Sequence, residues 1–427
     1  MSIRSQATEM HDVAQSTQTS TSVADSKHKP TTNKIAAVGI QCAVSLSAAG
    51  QTAAQLKQQL SSEGHALSLN TELIAEKQVW VGAYAHGLID SVPEALHAVD
   101  SRNLRFALTA LAHIETQIQA VVADFAPSRL AIVAGTSTSG IADNEAILKA
   151  YFQGQRDLDI YQQKQEMGGL AKALQHYLGW RGPSYTISTA CSSSAKAFAS
   201  AQRLLNADLA DAVLVVGVDT LSQLTLNGFN SLENLSAGRC APCGAARDGI
   251  NIGEAASVFL LTQAEAPVML VAAGESMDAW HISAPHPEGR GAKQAMQAAL
   301  DLAQLQPQDI DYLNLHGTAT THNDAMEIAA VRALFQDHPL QLSSTKHQTG
   351  HCLGAAAALE AFICHQVLLD QDWLPLHHAG PIDAELDDQH YVSQTSTVPQ
   401  LRYVMSNSFA FGGSNISLIF GTQHACN

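Results

Sequence analysis

Short, unbroken apolar blocks alternate along the chain with stretches whose apolar residues recur at helical spacing. Leu130-Ala-Ile-Val-Ala, Ala212-Val-Leu-Val-Val-Gly-Val, Ala255 to Leu261 and Val268 to Gly274 carry almost no polar residue. Blocks of this kind are strands buried on both faces of a mainly parallel sheet. Further short strands are predicted at Ile35 to Ile40, Tyr185 to Thr189, Ile310 to Leu315, Leu340 to Ser344, Tyr403 to Asn407 and Asn415 to Phe420. Helices are predicted over Thr52 to Ser62, Arg105 to Phe125, Lys293 to Ala303, Asp324 to Phe335 and the Ala-rich Leu353 to Leu369. Asn144 to Trp180 reads as helical with an interruption at Gly168-Gly169, and Leu224 to Gly253 as loop. Strand and helix in alternation predict stacked α/β layers. The strand and Gly-Thr-Ser-Thr of Leu130 to Thr138 are echoed by the strand and Gly-Thr-Ala-Thr of Ile310 to Thr320. The ordered chain therefore reads as two similar halves, 34–266 and 267–427. Residues 1–33, rich in Ser, Thr and Gln, are expected to form a disordered tail.

At 427 residues, 46% hydrophobic and 15% charged, the chain is long and apolar enough for a large core. A net charge of −16 argues against a non-specific nucleic-acid or anionic-membrane binder. Seven cysteines scattered through a long chain suit reduced thiols better than a disulfide framework. No apolar run reaches membrane-spanning length and no signal pattern opens the chain, so a cytoplasmic location is expected.

Candidate chemistry gathers at strand-to-helix junctions. Cys191 lies between a β-branched strand and an Ala-rich helix, in Ser188-Thr-Ala-Cys-Ser-Ser-Ser. The positive end of a helix dipole is expected to lower its thiol pKa and favour the nucleophilic thiolate. A small buried core cysteine is the plainer alternative. His316 ends a strand, where open α/β sheets bind ligands, with Asp324 at the next helix. His351 precedes the helix that starts near Leu353. The glycines of Phe409-Ala-Phe-Gly-Gly-Ser414 let backbone approach a ligand, so that an amide there and that of Cys191 can form an oxyanion hole. Three competing readings are weaker. His347, His351 and Cys352 suggest zinc, but Thr349-Gly350 would break the helix needed to align them. Cys240-Ala-Pro-Cys243 is a lone C-x-x-C in a loop. Gly135 to Gly140 lacks a Walker lysine and dinucleotide spacing. No cofactor or metal is indicated.

Together, Ser188-Thr-Ala-Cys-Ser-Ser, Arg247-Asp-Gly-Ile-Asn-Ile-Gly-Glu-Ala, Asn314-Leu-His-Gly-Thr-Ala-Thr, Ser344-Thr-Lys-His-Gln-Thr-Gly-His and Asn407-Ser-Phe-Ala-Phe-Gly-Gly-Ser-Asn resemble the motifs of the elongating β-ketoacyl-acyl-carrier-protein synthases, condensing enzymes of the thiolase superfamily. The resemblance runs from about residue 34 to 422 in the family's order. It implies a thiolase-like duplicated five-layer αβαβα architecture with two mixed sheets, the cysteine in the first half and both histidines in the second. It implies that Cys191 accepts an acyl group and that His316 and His351 serve decarboxylation of a malonyl extender and condensation. By the same resemblance, the Cys191 and Phe411 amides form the oxyanion hole, Phe411 with Phe409 gates the site, Lys346 and Glu360 are a buried pair, and Asp324 supports the loop after His316. The implied partners are an acyl-carrier protein and a second chain, the same or a related ketosynthase-like subunit, paired through the strand before Cys191. A malonyl decarboxylase or acyltransferase of this fold, or a non-catalytic subunit, is the alternative. The third histidine position separates the chain from Cys-His-Asn enzymes, and the retained cysteine from chain-length partners that lose it. Ala410 departs from the family's usual glycine, Arg239 to Ala246 is shorter than the family's loop there, and Glu233 stands where a basic docking residue is common. Docking is then expected to fall to other cations, such as Arg102 and Arg105.

Overall fold

The apolar blocks form strands much as their composition requires. The computed structural model describes residues 35–158, 162–377, 380–398 and 400–426, and the expected tail 1–33 lies outside the described residues. The strands are β1 (Val38–Ser47), β2 (Ser68–Ile74), β3 (Lys77–Val81), β4 (Leu130–Gly135), β5 (Ser184–Ile187), β6 (Ala212–Asp219), β7 (Ala255–Thr262), β8 (Val268–Met277), β9 (Tyr312–Asn314), β10 (Gln341–Ser343), β11 (His390–Tyr391), β12 (Tyr403–Phe409) and β13 (Ser414–Thr422). The hairpin β2–β3 stands apart, and the other strands form one 11-stranded sheet in the order β11-β10-β9-β12-β13-β8-β1-β7-β6-β4-β5.

That order contains one pattern twice. β5-β4-β6-β7-β1 and β10-β9-β12-β13-β8 each run third, second, fourth, fifth, first along their own stretch of chain. In both, the first three strands of the order are parallel and the last two pairings antiparallel. β4 and β9, which carry the echoed Gly-Thr motifs, hold the same place in the two sets. The expected pair of mixed sheets is joined edge to edge by Val38↔Leu270 and Gly39↔Met269. Residues 34–427 form one compact unit.

Strand alternation explains the layering, because each set sends successive side chains to opposite faces. The inner faces share one core with the helices Ser193–Asn206 and Ala356–Asp370. Phe198 and Phe259 rings lie 4.8 Å apart, and Phe198 also meets Phe420 of the other set at 6.0 Å. The outer face of the first set is covered by Arg102–Ala112 and Gly169–Leu178. That of the second is covered by Arg290–Ala303 and Thr321–Phe335. The result is helix, sheet, helix, sheet, helix. Leu353–Asp370 has the length and hydropathy of a membrane span, but 83% of it is buried inside the fold. A helix apolar on all sides is what the central layer demands.

Three expectations fail for identifiable reasons. The helix expected over Arg105 to Phe125 is two, Arg102–Ala112 and Glu115–Val122, because Ile114 leaves helical geometry at φ −127° and ψ 8°. Ile114 and Ile118 stay in the same core as the first helix, so the apolar period runs on through the break. Asn144 to Trp180 is likewise divided, into Ile141–Phe152, Gln162–Gln165 and Gly169–Leu178. Leu224 to Gly253 is not loop throughout, since Gln223–Ser231 is helical. Its N-terminus is capped by Ser222 and by the distant Glu145 carboxylate, which accepts from the Gln223 and Leu224 amides at 2.9 and 2.7 Å.

The two central helices come closest beside β6. A Cβ on Gly217 would stand 2.5 Å from Ala358 Cβ and 2.8 Å from Ser194 Cβ. Gly217→Ala is therefore expected to lower stability by about 1–3 kcal/mol, the usual cost of overpacking, read as a lower melting temperature. An unchanged melting temperature would show that the central layer tolerates separation.

Candidate active site

Cys191 is carried on a tight turn between β5 and the helix Ser193–Asn206. Ala190 adopts φ +52°, a left-handed conformation costing a side-chain-bearing residue roughly 1–2 kcal/mol. The turn is held by Ser193, whose hydroxyl donates to the Ala190 carbonyl at 2.6 Å and accepts from the Thr189 amide at 2.9 Å. Small residues follow because the helix is jammed against the sheet: a Cβ on Gly135 would lie 2.5 Å from Ser194 Cα. Ser194 Oγ in turn accepts from the Ala358 amide at 3.0 Å, tying this helix to the one that follows His351.

The structure brings Cys191, His316 and His351 together. His351 Nε2 lies 3.0 Å from Cys191 Sγ, and the two imidazoles meet edge to face at 5.4 Å and 84°. The three ligand-type atoms are within 4.8 Å of one another. His351 is placed by backbone. Its amide donates to the Asn251 carbonyl at 2.6 Å, and its carbonyl accepts from Gly253 at 3.0 Å. Close approach explains the glycine in Asn251-Ile-Gly253, because a Cβ there would sit 2.3 Å from the Thr349 carbonyl. His316 is fixed by charged groups. The His316 and Gly317 amides donate to the Glu327 carboxylate at 2.8 and 2.7 Å, and Lys346 Nζ donates to the His316 carbonyl at 2.5 Å. Lys346 also pairs with Glu360, both nearly fully buried.

Other supports are absent from the sequence-based assignment. Asp324 does brace the loop after His316, accepting from Ala319 N at 3.1 Å, and it also accepts from Cys243 N at 2.7 Å. Glu327, three residues on, contacts His316 more directly. Its place one turn along the helix from Asp324 was the available signal. Asp219 was missed too. Fully buried, it gathers Thr136 Oγ1 at 2.6 Å, Thr138 N at 2.8 Å and Gly354 N at 2.6 Å, pinning the Gly-Thr-Ser-Thr loop to the chain just after His351.

Burial sets the protonation states. Desolvation pushes the Cys191 thiol up to about 11, against the pull of Lys346 and of the Phe411 and Cys191 backbone amides on the same sulfur. The expected lowering by the helix terminus is thus overturned, because the sulfur is removed from water. Desolvation, reinforced by the Lys346 charge, holds His316 and His351 well below the ordinary histidine range. Both rings are neutral. Glu327 is pushed by burial up to about 7.

The loop Phe409–Gly413 lies against Cys191 and His316. Gly412 and Gly413 stand at φ +82° and +80°, and a Cβ on Gly413 would meet the Asp278 carbonyl at 2.0 Å. Ala410, at φ −97°, is ordinary extended backbone and strains nothing. Phe409 lies 6.2 Å from the His316 ring, and Phe411 lies 5.7 Å from Phe229. A cavity of about 230 Å³ ends on this loop, lined among others by Phe411, Asn323 and Thr320. The segment against the loop is Asp278 to Ile282, through Asp278 N to Gly413 O and Gly412 N to Ile282 O, both 2.8 Å.

The competing motifs separate. Cys352 Sγ turns to the Thr349 and Gly350 carbonyls, and the helix Lys346–Thr349 ends at Gly350 with φ +70°, so His347, His351 and Cys352 are no ligand set. Among the described residues the group close enough to hold a metal is Cys191, His316 and His351. Its sulfur, held as a thiol beside an imidazole, suits nucleophilic chemistry better than the thiolate ligation zinc takes. Cys240 and Cys243 are buried and free, as are Cys42, Cys191, Cys352 and Cys364. Arg102 pairs with the buried Glu254 at 2.6 Å and Arg105 with Asp100 at 2.6 Å.

Residues 32–266 match the β-ketoacyl synthase N-terminal domain, and 268–379 its C-terminal domain. 3-Oxoacyl-[acyl-carrier-protein] synthase 2 of Staphylococcus aureus is 34% identical over 259 residues, 57% of this chain and 64% of that protein. Nodulation protein E of Rhizobium meliloti is 37% identical over 257 residues, 57% of this chain and 63% of that protein. The chain thus spans just under two thirds of the length of these curated relatives. A chain of the ketosynthase (ApeO) in complex with its chain length factor (ApeC) from Xenorhabdus doucetiae is 40% identical, with TM-score 0.85, covering 91% of this chain and 99% of that one. The ishigamide ketosynthase/chain length factor shares the fold at TM-score 0.82 and 22% identity.

Two outcomes follow from the buried charges. Alkylation of Cys191 by iodoacetamide is expected to rise about tenfold per pH unit through the neutral range, as for a thiol that must first ionise. A plateau below about pH 8 would instead indicate a standing thiolate–imidazolium pair. Lys346→Met, which strands Glu360 in the interior, is expected to cost about 3–5 kcal/mol in chemical denaturation, and Lys346→Met with Glu360→Leu to recover much of that. Equal losses in the single and double variants would contradict the pairing.

Proposed function

The chain belongs to the β-ketoacyl synthase family, and we propose that it catalyses decarboxylative Claisen condensation of an acyl thioester with malonyl-acyl-carrier protein. The observation carrying this reading is the thiol of Cys191 3.0 Å from a neutral His351, with His316 beside it and two backbone amides on the sulfur. In the first half-reaction the sulfur attacks the acyl thioester carbonyl as its proton passes to His351 Nε2. The carbonyl oxygen takes the negative charge toward the Cys191 and Phe411 amides. Collapse expels the carrier's thiol, which regains the proton, and leaves an acyl-cysteine.

In the second half-reaction a malonyl thioester takes the carrier's place. Its carbonyl oxygen accepts hydrogen bonds from the neutral imidazoles of His316 and His351, the latter now in the tautomer that carries its single ring proton on Nε2. The bond to the carboxylate breaks, carbon dioxide leaves, and the electron pair remains as an enolate in a water-poor site. The enolate carbon attacks the acyl-cysteine carbonyl, forming the carbon–carbon bond. The carbon–sulfur bond breaks, the sulfur departs as a thiolate and takes up one proton from solvent, leaving 3-ketoacyl-carrier protein. Lys346 serves by electrostatics, keeping the rings unprotonated, and Glu327 by holding the His316 backbone.

The chain pairs with a second ketosynthase-like chain through β5. Support comes from the unequal edges of the repeat: β10 is flanked by β11, whereas β5 is bonded on one side only and half-buried throughout. Six buried, unbridged cysteines suit a reducing, cytoplasmic setting.

Incubation with an acyl-carrier protein bearing an acyl group is expected to add that acyl mass to Cys191, and malonyl-carrier protein then to release carbon dioxide and 3-ketoacyl product. Carbon dioxide without ketoacyl product would favour a malonyl decarboxylase, and an unmodified Cys191 would sink the proposal. His316→Ala is expected to slow condensation by roughly 10²–10³-fold, the scale for a lost oxyanion donor.

A further inference from the structure

Where β10 ends, a side chain takes over the sheet ladder. The Val392 amide, just past β11, donates to the Leu342 carbonyl at 2.9 Å. In a parallel pair the next rung would run from the Ser344 amide to the Val392 carbonyl. That carbonyl accepts from the His377 amide at 2.9 Å, and the Ser344 amide donates to His377 Nδ1 at 2.9 Å. The opposite ring nitrogen, Nε2, lies 3.0 Å from the Pro242 carbonyl. A backbone amide only donates and a carbonyl only accepts, so these bonds require a ring with a single proton, on Nε2. The side chain is buried and stacked on Tyr391, with ring centroids 4.6 Å apart at 30°.

Both ring nitrogens lead to the loop that carries His316. On one side, Ser344 Oγ donates to the Gly317 carbonyl at 2.7 Å, and a Cβ on Gly317 would stand 2.5 Å from Ser344 Cβ. Ser344 and Gly317 therefore move together. On the other side, Pro242 precedes Cys243, whose amide donates to Asp324 at 2.7 Å, and Asp324 accepts from the Ala319 amide at 3.1 Å. The bonds close on themselves around Gly317 to Ala319. We propose that His377 is a positioning residue for His316, gripping the loop after it from two sides so that the ring meets the malonyl carbonyl at a fixed angle. This rests on the reaction proposed above, in which His316 serves the second half-reaction and not the first. Cys191 and His351 are fixed elsewhere, by the Ser193 hydroxyl and by the Asn251 and Gly253 backbone.

The test separates the two half-reactions in the full-length protein. Acylation of Cys191 by an acyl-carrier protein is read by intact mass, and carbon dioxide release from malonyl-carrier protein is read on the acyl-enzyme. His377→Phe keeps the ring's bulk and removes both hydrogen bonds. It is expected to slow carbon dioxide release by up to roughly 10²-fold while changing acylation less than about threefold, as for a misplaced His316 alone. His377→Asn, whose Oδ1 can stand where Nδ1 stood and accept from Ser344, is expected to recover most of that loss. Ser344→Ala, which cuts only the bond to the Gly317 carbonyl, is expected to show the same split and decides the matter if His377→Phe does not fold. Nitrogen-15 spectra supply a readout that needs no turnover: the His316 ring signals are expected to move in both variants, and those of His351 to stay. Equal slowing of both half-reactions, no recovery in His377→Asn, or unmoved His316 signals would overturn the proposal. A wild-type protein that is never acylated would overturn the reaction, and the ring signals alone would then decide the part of His377.

Discussion

One buried ammonium organises the site. Lys346 sits in the interior with Glu360 as its counter-ion and the His316 carbonyl as its second acceptor. Its charge acts on all three candidate side chains: it adds to the desolvation that chiefly disfavours a proton on both imidazoles, and it draws the Cys191 thiol down against desolvation. An unpaired lysine here would be expelled or neutralised, so Glu360 on the helix Ala356–Asp370 is required for the charge to exist. The repeat in the fold makes this possible. The helices behind Cys191 and behind His351 follow the third strand of each half, and the packing of the two halves brings both reactive ends to one place.

Desolvation is the cost and the purpose of that arrangement. A thiol pushed up to about 11 is a poor resting nucleophile. It needs a base within reach at the moment of attack, and in the proposed mechanism His351 Nε2, 3.0 Å from the sulfur, takes that part. A dry site also keeps the imidazoles neutral, the form that can donate to a developing enolate without charge of its own to neutralise. The strained turn at Ala190 and the paired left-handed glycines at 412 and 413 are local consequences, since both let backbone amides reach the sulfur.

Cys191, His316 and His351 were legible as candidates because each lies at a strand-to-helix junction in a distinctive local sequence. The strand blocks were legible because strands covered on both faces tolerate few polar residues. What escaped was whatever depends on distant partners. The helix Gln223–Ser231 takes its cap from Glu145, and the break at Ile114 hides behind a continuous apolar period. Glu327 and Asp219 read as unremarked acids until the fold carries them beneath His316 and Gly354. The thiol's state escaped for the same reason, since proximity to a helix end is local and burial is not.

The central claim, that burial keeps a protonated thiol between two neutral imidazoles, is open to direct observation. Nitrogen-15 chemical shifts of the His316 and His351 rings, followed through the neutral pH range in the wild-type protein, report protonation at each ring nitrogen. The account predicts neutral-imidazole shifts for both that do not titrate across the range. A His351 ring with both nitrogens protonated near neutral pH, and reverting to neutral when Cys191 is replaced by alanine, would contradict it.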